Sequence, residues 1–182
     1  MKKPITPPVI EILPIFDKNN KLTGSAPRLL CHSNPNLIHR AVHVLVLDDE
    51  GRLLLQKRSK NKDVQPGKWD TSVGGHLMIG EKYLAAAKRE MKEEIGLAAN
   101  IKMRYAYSYQ WRNEKETENI KTYVCTHNGP LKHNQYEIDA IKFWTIAEIK
   151  KALGKNRLTP NFESEFGFFL KWRSAGKAKK GK

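Results

Sequence analysis

The sequence predicts an α+β fold built on a mixed or antiparallel sheet. Three observations carry that reading. Apolar runs suited to strands cluster on both sides of one strongly patterned helix, so strands and helices do not alternate as in a doubly wound parallel sheet. No internal repeat occurs. The chain has 182 residues, 40% hydrophobic and 29% charged, which suits one full core and excludes a collagen-like or disordered chain. The expected organisation is one domain over residues 1–172, with residues 1–9 as an irregular arm and 173–182 as a basic, disordered tail.

Each element has a local reason. Ile10 to Phe16 reads as an edge strand, the only sheet position that tolerates Pro14. Asp17-Lys18-Asn19-Asn20 is a turn, and residues 25–38, with two prolines, two serines and two asparagines, read as loop. Ala41 to Leu47 is a buried strand, Asp48 to Gly51 a hairpin turn, and Arg52 to Arg58 the returning strand. Pro66-Gly67-Lys68 breaks the chain, and Trp69 to Val73 is short and extended. Leu84, Ala87, Met91 and Ile95 recur at helical spacing within Lys82 to Ile95, and Gly96 ends that helix. Ile101–Tyr109, Thr117–Cys125 and Ala140–Thr145 read as strands. Ala147–Leu153 is a short helix stopping at Gly154, and Thr159-Pro160 starts a last helix, about Asn161 to Trp172, with Phe162, Phe166, Phe169 and Leu170 toward a core.

Charge and composition bound the partners. Net charge is +14, and five basic residues fall in the last ten positions: Arg173, Lys177, Lys179, Lys180 and Lys182. A second cluster is Lys57, Arg58, Lys60 and Lys62. The first reads as a solvated end and the second as a soluble basic surface, with attraction of a polyanionic substrate as its functional alternative; nucleic acid is the less favoured partner. No apolar stretch is long enough to span a membrane, and Met1-Lys2-Lys3-Pro4 does not lead into a secretory h-region. Cys31 and Cys125 are too few for a disulfide scaffold and fit a reducing cytoplasm.

The chemistry gathers on the central helix. Glu90, Glu93 and Glu94 sit at spacings of three and four, and Glu81 begins the helix after a loop carrying Gly74, Gly75 and Gly80. Carboxylates at this density repel one another unless cations compensate, and hard divalent ions, Mg²⁺ or Mn²⁺, want such oxygen ligands. Arg89 is four residues from Glu93 and can hold one carboxylate in place.

From Gly75 the pattern Gly-x5-Glu81-x7-Arg89-Glu90-Met91-x-Glu93-Glu94-x-Gly96-Leu97 matches the Nudix box at all nine defined positions over 23 residues. The chain therefore resembles the Nudix hydrolases. The resemblance implies a Nudix-type α/β/α sandwich with a mixed β-sheet, and metal-dependent hydrolysis of a diphosphate bond in a nucleoside diphosphate linked to another group. It implies metal ligation by Glu90, Glu93 and Glu94 with Glu81 supporting, and makes Glu90, Glu94 and Arg89 the catalytic candidates. Glu118 and Glu137 are candidate bases outside the box. Homodimers occur among such relatives.

A second resemblance rests on Asn36 to Val42, Leu53 to Arg58, Pro66 to Asp70 and Gly75-His76. These look like the Nudix branch that contains isopentenyl diphosphate isomerases and their hydrolase relatives. In that comparison His32, His39, His76 and Glu118 form a second metal site suited to Zn²⁺ or Mn²⁺. Two departures count against isomerase activity. Gly74 stands where the isomerases carry their proton-transfer cysteine, and Ile120 stands where a second glutamate is expected. The intact box favours hydrolysis. The alternatives are the isomerase and an inactive nucleotide- or RNA-binding module. His43 reads as a core or sheet-face residue, and Trp69 and Trp111 as packing aromatics that could stack on a base.

Overall fold

The computed structural model describes residues 11–98 and 100–180, with side chains to residue 176. The expected arm over residues 1–9, and Ile10 of the expected edge strand, lie outside them. Strand β3 (Ile38–Leu47) is the hub of a nine-stranded sheet. Strand β8 (Thr117–Thr126) runs parallel to it along the whole register, from Ile38 opposite Thr117 to Leu47 opposite Thr126. The other side of β3 is shared by three antiparallel partners. They are β1 (Ile12–Phe16) at its start, β6 (Val73–His76) at its middle and β4 (Leu53–Arg58) at its end. Antiparallel β7 (Arg104–Arg112) extends the sheet beyond β8, and β5 (Trp69–Asp70) and β9 (Ile138–Trp144) pair with β4. One parallel pair among antiparallel ones makes the sheet mixed, as the sequence predicts.

Residues alternate in β3, and the two faces carry separate cores. Val42, Val44 and Val46 pack with Ala86, Ala87, Met91 and Ile95 of helix α2 (Tyr83–Ile95). Leu45 packs on the other face with Phe162, Phe166 and Phe169 of helix α4 (Pro160–Lys180) and Ile149 of α3 (Ile146–Ala152). Helices on both faces of a mixed sheet make the α/β/α sandwich. Gly96 ends α2 at φ 70°, where its N–H returns to the Lys92 carbonyl and that of Leu97 to the Met91 carbonyl, so only a residue at ease in the left-handed region fits there.

Three local expectations change. Residues 25–38 are not all loop: β2 (Leu22–Pro27) pairs with β1, and α1 (Arg28–Cys31) follows. The hairpin is held by backbone hydrogen bonds, and β2 is largely exposed, so its sequence carries no apolar alternation. Leu84 is 44% exposed, and Ala86 takes its place on the buried stripe. That small rotation turns the Glu94 side of α2 toward the sheet. The helix expected to end near Trp172 continues to Lys180. Arg173, expected to begin the tail, instead donates to the Gly51 carbonyl at 3.4 Å. Gly181 and Lys182 lie outside the described residues. Among those described, no helix is long and apolar enough to cross a membrane.

Candidate active site

The carboxylates of α2 are organised by one guanidinium. Arg89 donates to both oxygens of Glu81 at 3.0 and 2.9 Å, to Glu90 at 2.7 Å and to Glu93 at 3.2 Å. Its Nη2 also donates to the His76 carbonyl at 3.0 Å, which ties the helix to β6. The hydrogen bonds from Arg89 hold the Glu81 carboxyl below its ordinary value. Glu90 is pressed against β6: a Cβ at Gly75 would overlap the Glu90 carboxylate. The box glycine is therefore a matter of space. Gly75→Ala is expected to displace Glu90 and cut turnover roughly tenfold or more with the fold retained, read from initial rates beside a circular-dichroism melt.

Glu94 does not touch Arg89. It is only 6% exposed and accepts hydrogen bonds from Gln56 Nε2 at 3.1 Å and Gly74 N–H at 3.2 Å. Burial, with the neighbouring Glu90 charge, pushes its carboxyl up to about 8. Burial also raises Glu90. Two carboxyls on one helix whose ionised forms burial disfavours are groups a divalent cation would stabilise.

The opposite face of β6 carries a second constellation. Ligand atoms of His32, His39, His76 and Glu118 all lie within 4.8 Å of one another. His39 and Glu118 are direct partners in the β3–β8 register, and His76 lies opposite Ala41 in the β3–β6 register. His32 Nε2 is 3.1 Å from His76 Nε2, and Glu118 Oε1 is 3.3 Å from His76 Nε2 and 3.4 Å from His39 Nε2. Metal–ligand bonds of about 2.0–2.2 Å place neighbouring ligand atoms roughly 3.0–3.5 Å apart. The backs of two rings are already held: His39 Nδ1 is 3.2 Å from the Leu37 carbonyl and His76 Nδ1 3.2 Å from Glu11. His39 Nε2 is buried without a hydrogen bond, an orphan that a metal ion would satisfy.

The electrostatics of the cluster are divided. Burial and the nearby His76 drive His32 down to about 3. Burial opposes charge on His76 as well, but Glu11 and Glu118 override it and raise the ring to about 9. Burial works against ionised Glu118 too, yet His39 and His76 hold its carboxyl well below the ordinary range.

Sequence reasoning missed Glu116. It is buried, and its Oε2 lies 3.1 Å from His32 Nδ1, so the cluster has a second carboxylate beside it. The position expected to hold that glutamate, Ile120, is 1% exposed and belongs to the core. The signal was in the strand period: Glu116, just before β8, and Glu118 within it are two apart. The other candidates spread out. Glu137 pairs with Lys62 at 2.7 Å and lies away from the histidines, though near enough to help raise Glu94. Arg58 pairs with Asp70 at 3.1 Å. Trp69 packs edge-on against Trp144, and Trp111 lies opposite Glu118 across the β7–β8 pair.

A thin glycine strand separating a carboxylate helix from a histidine–glutamate cluster defines a metal-dependent enzyme of phosphoanhydride chemistry. The NUDIX domain model matches residues 37–162. An uncharacterized Nudix hydrolase from Yersinia pestis is 34% identical over 142 residues, covering 77% of this chain and 75% of the relative. An isopentenyl-diphosphate Delta-isomerase from Streptomyces avermitilis is 33% identical over 150 residues, covering 80% and 76%. In structure the chain is similar to a Deinococcus radiodurans protein, with TM-score 0.72, 20% identity, and 82% and 92% of the two chains covered. The chain belongs to the Nudix family, in the branch that includes the isopentenyl diphosphate isomerases.

Proposed function

We propose that the protein is a Nudix pyrophosphohydrolase that uses Mg²⁺ or Mn²⁺ to cleave a diphosphate bond in a nucleoside diphosphate–X compound or a related organic diphosphate. The observation that carries the reading is the Arg89 fan over Glu81, Glu90 and Glu93, with Glu90 seated on Gly75 and Glu94 buried beside it. Glu90, Glu93 and Glu94, with Glu81 supporting, are the groups that would hold the ion. His32, His39, His76 and Glu118 are the groups that would hold a second. Such ions neutralise phosphate oxygens and acidify bound water. Arg89 keeps Glu90 and Glu93 aimed outward from the helix. Glu90, raised by burial, is the candidate acceptor for the proton of the attacking water. The catalytic unit is read as one domain over residues 1–172, acting in the cytoplasm on a small-molecule diphosphate.

The relatives named isomerases favour a second reading, double-bond isomerisation of isopentenyl diphosphate. Glu116 brings the histidine cluster closer to that reading than the sequence suggested. The thiol does not follow. Position 74 is glycine, Cys31 Sγ points to the Ala26 carbonyl at 3.8 Å, and Cys125 is packed in the α2-side core. The test is a panel of diphosphate compounds, isopentenyl diphosphate included, with Mg²⁺ or Mn²⁺ and with a chelator control. Release of phosphate, pyrophosphate or nucleotide that stops on chelation supports hydrolysis. Silence across the whole panel removes it.

A further inference from the structure

We propose that the Nε2 edge of His43, opposite Gly74, binds an oxygen of the substrate's diphosphate group. This rests on the proposed activity and assigns a new contact within it. His43 lies four residues beyond His39 on β3, so both rings leave the same face of the sheet. Its Nδ1 is 2.9 Å from Glu165 Oε2 on α4, and the other Glu165 oxygen accepts from Thr122 Oγ1 at 2.7 Å. Glu165 is fully buried. These two bonds fix the ring and leave Nε2 toward β6. Among the described residues Nε2 has no hydrogen-bond partner, although His43 is only 6% exposed.

Gly74 is the direct register partner of His43. It does not have the positive φ that would demand glycine. A Cβ there would stand 3.2 Å from His43 Cδ2 and 3.3 Å from Thr71 Cγ2, tighter than ordinary contact, and 3.4 Å from Nε2. The glycine thus keeps open the space in front of the ring, as Gly75 keeps open the space for Glu90. On its other side the Gly74 N–H is held by Glu94. An anionic oxygen over Gly74 would lie on the imidazole's side of β6, with Glu94 bonded to the same residue across the strand.

The surroundings favour a cationic ring. Burial opposes the charge, but Glu165 overcomes it and raises His43 to about 9. Asp70 on β5 and Glu118 on β8 add negative potential. Tyr109 on β7 lies 3.4 Å from Nδ1 and donates to Asn161 of α4 at 2.9 Å. A buried ion pair is costly to assemble and is weak evidence of a stabilising role. A cationic donor with one free N–H, fixed in direction, suits a phosphate oxygen.

Inorganic pyrophosphate is the probe, with Mg²⁺ present throughout. Histidine-ring ¹H–¹⁵N spectra of the wild-type protein are expected to show the His43 Nε2 signal moving as pyrophosphate saturates the site. His43→Gln identifies the signal and is expected to weaken pyrophosphate binding by about tenfold to a hundredfold. Gly74→Ala, which keeps both His43 and Glu165 but fills the space before the ring, is expected to weaken it as well. An unmoved ring signal at saturation overturns the proposal, as does unchanged affinity in a folded His43→Gln or no binding at all. A moved signal without turnover of any compound upholds this contact and removes the hydrolase reading. Turnover with an unmoved signal does the reverse.

Discussion

Glu94→Gln is expected to lower turnover roughly a hundredfold or more while making the metal-free protein more stable at alkaline pH. Glutamine keeps an oxygen to accept from Gln56 and Gly74, so the local bonds persist. What it loses is the charge that would bind the ion. The stability effect follows from the same burial. The folded carboxyl sits at about 8 against an ordinary 4.5. Between those values the unfolded chain has released the proton and the folded one retains it. Stability from this group is therefore full below about pH 4.5 and declines as pH rises through about 8. Above that, relief from the buried charge is expected to be on the order of 1–3 kcal/mol. Chelated wild type and variant, melted at pH 5 and pH 9, check it: equal midpoints at pH 5 and a higher midpoint for the variant at pH 9. Equal midpoints at both would show that Glu94 ionises without cost.

His39→Ala is expected to remove one metal equivalent and leave the box carboxylates their own. His39 is fully buried between Leu37 and Glu118, so its loss also leaves Glu118 without one of the two rings that keep it ionised. Losing a histidine ligand is expected to weaken the second site by a factor of roughly a hundred or more, and the mutation to cost about 2–4 kcal/mol of folding stability. Equilibrium dialysis with Mn²⁺, read by atomic emission, gives the stoichiometry. Unchanged stoichiometry and affinity would remove the histidine cluster as a metal site.

Much of the fold and part of the site were legible in the sequence, and the division has physical causes. The α2 pattern showed because an amphipathic stripe and a terminal glycine are local properties. Its angular setting did not show. Leu84 and Ala86 differ by two positions, and only packing against β3 decides that Ala86 is buried and that Glu94 turns inward with it. The strands of the core were readable because β3 carries a near-continuous apolar run and β8 alternates enough to read as extended. β2 was not, because it is largely exposed and its residues carry no apolar alternation. His32, His39, His76 and Glu118 could be named from their resemblance to a known pattern. Glu116 escaped because Glu118-Asn119-Ile120 offered a competing alignment, and only the β3–β8 register decides between them. The His43–Glu165 pair spans 122 positions and carries no local signal.

Hydrolysis rather than isomerisation is the central claim, and the fate of water oxygen tests it directly. The protein, with Mg²⁺, is given isopentenyl diphosphate and a set of nucleoside diphosphate–X compounds in H₂¹⁸O. The expected result is a phosphate-containing product carrying one ¹⁸O atom per cleaved bond, from at least one compound, with dimethylallyl diphosphate absent. Conversion of isopentenyl diphosphate to dimethylallyl diphosphate, with no labelled phosphate from any compound, would contradict it.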